Sequence, residues 1–247
     1  MLTSVTRVGC AQPWGGWYTP SARREELPRA TGAGAVLRDD MGAPSETFRV
    51  RVLQSGLTRW EAEGRLCGCT DLPMSASPCR AGSEIPEGET PDLVLTGPES
   101  AARSRAEAIA EATGARLKVS DALASVDLGL WEGLLESEAE ARFPAAYGLW
   151  RENPASVVPP EGEELAAAYE RLVSGFAGLC SRVGDDVLVY VVLRPLAAGL
   201  LRAWLVGDDA SRLWEMVEAL REGEVLRVSR ARVRAARGGS IASRGVR

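Results

Sequence analysis

The chain of 247 residues contains no histidine. No other side chain has an unperturbed pKa close to neutrality. General acid–base or metal chemistry would therefore have to come from Asp, Glu, Cys, Ser, Lys or Tyr. Lysine is nearly missing as well: Lys118 is the only one, so arginine carries almost all the positive charge. Arginine stays ionised when buried and binds anions bidentately, although an arginine-favouring codon composition explains the bias without any anion. The cysteine count is 5, an odd number that cannot pair completely. Cys67 and Cys69 form a C-x-C, while Cys10, Cys79 and Cys180 are scattered. A zinc site would need further thiolates or imidazoles at ligand spacing; no metal and no cofactor is expected. The cysteines read as reduced and structural, which suits the cytoplasm. Long apolar runs are scarce too. Val187–Val206 comes nearest, but Arg194, Pro195 and Arg202 interrupt it. Each arginine near a bilayer centre costs roughly 2.5–3.5 kcal/mol, so a buried strand leading into a helix is expected instead. The start of the chain lacks a basic segment followed by an apolar one, and no secretory signal is expected.

What is present is ordinary globular material, 45% apolar and 26% charged, enough to build a sizeable core. A net charge of −5 gives no reason to expect nucleic acid. Residues 1–46 are rich in Gly, Pro, Ser, Thr and Arg without a sustained period, and read as a disordered extension. Their one aromatic cluster, Trp14 to Tyr18, could alternatively dock through Trp14 and Trp17. Residues 47–236 read as one domain and 237–247 as a flexible tail. Phe48–Leu53, Asp92–Thr96 and Ala115–Val119 read as strands. Asp186–Leu193 is a valine-rich apolar run, as expected for a strand buried on both faces. Helical patterns lie between them: Glu99–Thr113, closed by Gly114, then 162–182, Pro195–Val206 and 209–221. Strands alternating with helices predict an α/β fold, a three-layer α/β/α arrangement with a mainly parallel central sheet. Ligands in such folds bind beyond the carboxyl ends of the strands. Near the end, Arg230, Arg232 and Arg234 alternate with Ala231, Val233 and Ala235. That period of two argues for a last, half-exposed strand with a solvated arginine face, or else a basic stripe for an anionic partner.

Five segments carry a family pattern. Residues 48–74, FRVRVLQSGLTRWEAEGRLCGCTDLPM, follow a strand–R-H-G-x-T-x-W-N…R…G…D-x-P-L opening through Gly56, Thr58, Trp60, Arg65, Gly68, Asp71 and Pro73. LTGPESAARSRAEAIA is similar to T-S-P-L-x-R-A-x-Q-T-A, and DALASVDLGLWEG to L-x-E-x-D-x-G-x-W-E-G. FPAAYGLWRENPASVVPPEGEEL and DVLVYVVLRPLAAGLLRAWL follow the last two blocks. In order and spacing these blocks, spread over residues 48–235, resemble the histidine phosphatase (phosphoglycerate mutase-like) superfamily.

The departures fall on the chemistry which that resemblance implies. The nucleophilic histidine's position is held by Ser55, and the arginine before it by Gln54. The second clamp arginine falls on Ala101, the leaving-group acid on Ser125, and the second histidine on Arg194. Pro195 replaces the following glycine and removes a backbone donor. Phosphoryl transfer relies on positioning and on cations aimed at the transferred group, and parts that act as a unit fail as a unit. The expectation is a catalytically inactive phosphatase-like protein with no catalytic residues, able to bind a protein partner or a small anion. The alternative is a residual phosphatase or phosphomutase acting on small phosphate esters through atypical residues. Gly56, Thr58, Glu61, Arg65 and Pro195 are candidate pocket or anion contacts. Glu61 stands where the family usually has Asn, so it could pair with Arg194 and close the pocket. Trp131 is expected to pack against the domain body.

Overall fold

The computed structural model describes residues 46–75, 85–86, 88–220 and 223–238. Its strands are β1 (Thr47–Gln54), β2 (Leu93–Thr96), β3 (Arg116–Val119), β4 (Leu188–Leu193) and β5 (Val225–Ser229). The helices are α1 (Arg59–Ala62), α2 (Ser100–Thr113), α3 (Glu136–Arg142), α4 (Pro144–Glu152), α5 (Leu165–Cys180), α6 (Pro195–Val206), α7 (Leu213–Ala219) and α8 (Arg230–Arg237). The sheet order is β3-β2-β4-β1-β5. The pairs β2–β3, β2–β4 and β1–β4 are parallel, and β5 joins the β1 edge antiparallel.

Strand alternation sorts the core into two faces. Leu188, Tyr190 and Val192 of β4 share a face with Val94 of β2, and Ala106 and Ile109 of α2 cover it. On the opposite face, Phe48 of β1 packs on Phe176 of α5, and Phe176 meets Trp204 of α6. Every residue of β4 is buried, as its valine-rich run requires. The result is the expected three-layer α/β arrangement, a mostly parallel sheet flanked by helices.

Boundaries follow local chemistry. Gly114 closes α2 in the left-handed conformation, φ 72°, which only glycine adopts without penalty. Pro195 occupies the first turn of α6, where no donor is needed. The segment expected as a helix over 162–182 is helical from Leu165 to Cys180. Asp209 does not open a long helix. It caps a short 3-10 turn, Ala210–Arg212, and α7 follows.

One expectation fails. The alternating arginines do not extend a strand: β5 stops at Ser229, whose hydroxyl accepts the Arg232 N–H and caps α8. Arg and Ala are strong helix formers, and Val233 and Ala236, three apart, supply the buried face. Nor do these arginines make a free stripe. Arg230 donates to the Val183 carbonyl. Arg232 lies over the Trp204 ring, 4.7 Å from its centroid, and donates to the Trp204 and Leu205 carbonyls. Arg234 pairs with Glu46. The Trp14–Tyr18 cluster, Cys10, Cys79 and residues 239–247 lie outside the described residues.

Candidate functional site

Parallel strands bring their carboxyl ends to one edge. Gln54 is in register with Leu193, and Thr96 with Val192. Ser55 extends the ladder, its N–H donating to the Leu193 carbonyl at 2.6 Å. Gln54, Ser55 and Arg194 therefore stand side by side where the sheet ends.

Arg194 leaves β4 and caps α6, with 1% of its surface exposed. Its Nη2 lies 2.8 Å from Glu61 Oε1, and its Nη1 donates to Glu61 Oε2 at 3.1 Å. Nη2 also donates to Cys67 Sγ at 2.8 Å. Glu61, 3% exposed, is held from its other side by a capping box at the start of α1. The Thr58 N–H and hydroxyl each donate to Glu61 Oε2 at 2.8 Å. Both charges are thus neutralised and hydrogen-bonded inside the protein, the only condition under which buried ions are tolerated. Burial pushes the Cys67 thiol up to about 11, although the nearby Arg194 charge opposes the shift. It remains a thiol at neutral pH.

The other positions are equally quiet. Ser55 donates its hydroxyl to the Gly56 carbonyl at 3.1 Å, and no basic side chain among the described residues hydrogen-bonds to it. Gln54 turns its amide to the Val217 carbonyl of α7 at 3.1 Å. Ala101 is a buried methyl in the first turn of α2. Arg65 joins none of these groups; it bonds Glu63 and the Gly133 carbonyl, with Glu138 at 3.9 Å. Above Gly56 the chain folds back: Met74 bridges to Thr58, and Ser75 N–H donates to the Leu57 carbonyl. Met74 Sδ sits only 2.0 Å from where a Cβ on residue 56 would be, so a side chain there would have to displace the Met74 thioether.

One residue escaped the sequence reading. Glu99 is buried at the N-cap of α2 and its Oε1 accepts the Ser125 N–H at 2.5 Å. Burial pushes its carboxyl above the ordinary range, with the Ser125 N–H and the Arg194 charge pulling the other way. A carboxyl therefore does border position 125, supplied from another element. The available signal was its place in LTGPES, where the related pattern has leucine.

The thiol of Cys69 and the carboxylates of Asp127 and Glu132 also cluster, their ligand atoms within 4.8 Å of one another. Backbone N–H groups already engage these carboxylates: Cys69, Thr70 and Leu128 donate to Glu132, and Gly129 donates to Asp127. Burial and the two carboxylates raise the Cys69 thiol to about 12. Trp131 plays a packing part: it is fully buried, edge-on to Tyr147 and Trp150. Trp150 stacks edge-on with Trp214 and accepts its indole N–H through the backbone carbonyl.

Fold and strand-end geometry define an α/β protein of the phosphoglycerate mutase-like class. The chain belongs to the histidine phosphatase superfamily (branch 1), whose family model matches residues 54–237. Among its relatives is phosphoserine phosphatase 1 of Hydrogenobacter thermophilus, 27% identical over 160 residues, covering 64% of this chain and 75% of that protein. The probable 2-carboxy-D-arabinitol-1-phosphatase of Arabidopsis thaliana is 25% identical over 68% of this chain, which spans only 35% of that longer protein. A native structure of mycobacterial glucosyl-3-phosphoglycerate phosphatase superposes with a TM-score of 0.60 at 25% identity, covering 68% of this chain and 83% of that one.

Proposed function

We propose that this chain keeps the histidine-phosphatase fold without its phosphoryl-transfer chemistry and serves as a non-catalytic binding protein for a protein partner. The observation that carries this reading is the joint loss of nucleophile and cation. With no histidine anywhere in the chain, no phosphohistidine can form. The guanidinium at the second histidine's position is engaged by Glu61 rather than aimed at a ligand. The Ser55 hydroxyl donates to the Gly56 carbonyl, and among the described residues no basic side chain bonds it to activate it as a nucleophile. No described helix is long and apolar enough to cross a membrane. The described cysteines, Cys67, Cys69 and Cys180, are all free, which supports a reducing compartment such as the cytoplasm.

A second reading is favoured by the relatives, which are named as phosphatases and mutases. On it, the chain hydrolyses small phosphate esters through atypical residues, with the Ser55 hydroxyl attacking in place of the family's histidine. Purified protein offered p-nitrophenyl phosphate and a panel of sugar and glycerate phosphates separates the two. Turnover no greater than the blank supports the non-catalytic reading. Turnover that disappears in Ser55→Ala supports the second.

A further inference from the structure

Behind the Arg194–Glu61 pair lies a second polar group that the pair does not use. Glu99 Oε2, Ser125 Oγ, Thr96 Oγ1 and Arg194 Nε are all buried, and none has a hydrogen-bond partner among the described residues. Three observations link the residues that carry them. Glu99 Oε1 is fixed on the Ser125 N–H, and Arg194 is near enough to pull on the Glu99 carboxyl. Thr96 ends the strand beside Val192, two residues before Arg194. Gly97, which follows Thr96, lies so close to Glu99 Oε2 that a Cβ there would fall 2.5 Å from it. Buried polar atoms left unmet destabilise the fold, so several on neighbouring residues argue for a bound partner.

We infer that Thr96, Glu99, Ser125 and Arg194 form a closed polar site that takes a neutral, water-sized hydroxyl ligand and excludes phosphate. The burial of all four sets the size, because nothing as large as a phosphate ester can reach them. The charges set the class. Arg194 is already balanced by Glu61, so an anion would meet no net positive charge and would face the Glu99 carboxyl. The hydrogen-bonding inventory fits water: the guanidinium Nε–H donates, the two hydroxyls do either, and Glu99 Oε2 completes the set. A buried water needs two to four polar partners, which this site supplies.

The test is a crystal structure of the full chain grown without phosphate or sulfate, with a second crystal soaked in inorganic phosphate. The expected result is a round, water-sized density peak bonded to Glu99 Oε2 and to at least one of Ser125, Thr96 and Arg194, unchanged by the soak. Missing density, direct bonds among the four groups, or a tetrahedral anion at the peak would overturn the inference. A solution measurement runs beside it: a long-lived water cross-peak to the Ser125 amide in the labelled chain, lost in Glu99→Met. Persistence of that cross-peak in the variant also counts against the site. Failure here is distinct from failure of the non-catalytic reading, because ester turnover would end that reading and leave the water peak in place.

Discussion

Replacing Glu61 with Ala would leave the Arg194 guanidinium buried without a counter-charge. The two groups lie 2.8 Å apart, and both are almost wholly inaccessible. Removing one partner of such a pair costs about 3–5 kcal/mol, because the remaining charge is uncompensated. The same substitution deletes the reciprocal cap of α1, worth about 1 kcal/mol. Against a total stability of about 5–15 kcal/mol, Glu61→Ala should be among the most damaging single changes in the domain. Urea unfolding followed by tryptophan fluorescence measures it as a fall in midpoint at unchanged slope. The double variant Glu61→Leu/Arg194→Met should recover most of the loss, since an apolar pair of similar volume is often neutral or better. Inorganic phosphate should raise the melting temperature of Glu61→Ala, standing in for the missing carboxylate, and leave the unsubstituted chain unchanged. If Glu61→Ala falls within about 0.5 kcal/mol of the starting protein, as surface changes do, the pair is not the buried neutralising contact described here.

Other consequences follow from the same packing. Glu99 has its folded pKa above the ordinary 4.5, so its protonated form favours folding. Its contribution is complete below 4.5 and is lost as pH rises through the raised value. Glu99→Gln should flatten stability across that window, and urea midpoints measured from acid to neutral pH would show the slope unchanged if the argument is wrong. Trp131→Ala removes a fully buried ring held between Tyr147 and Trp150 and should cost about 3–5 kcal/mol in the same unfolding assay. Cys69 is exposed yet holds its proton up to about 12, so iodoacetamide should label it slowly at neutral pH. Cys67 and Cys180 should label only after unfolding, and rapid labelling of any of the three in the native protein would refute these thiol environments.

The architecture was legible where the pattern was dense. The run Asp186–Leu193 announced a strand buried on both faces, and Pro195 and Gly207 bracket α6 at its first turn and C-cap. It was illegible where alanine and charge carry no period. Helix α3 buries only Ala139, and α4 shows its inner face through Tyr147 and Trp150 alone. In α8, arginine alternating with Ala231, Val233 and Ala235 imitates a strand over six residues, and only Val233 with Ala236 reveals the helical spacing. At the site, family-like spacing pointed to Gln54, Ser55, Ser125 and Arg194, which the sheet register and Glu99 link at one edge. The Cys67 contact with Arg194 spans 127 residues and leaves no local trace. Glu99 went unseen for a different reason: a lost acid at position 125 directs attention to that position, whereas the carboxyl enters from the neighbouring helix cap.

The most direct measurement is intact mass spectrometry of the purified chain after incubation with p-nitrophenyl phosphate and with glycerate phosphates, alongside product release. An unmodified mass and release no faster than the blank are the predicted results. A phosphoryl adduct on Ser55, or on any other side chain, with turnover to match, would contradict the account.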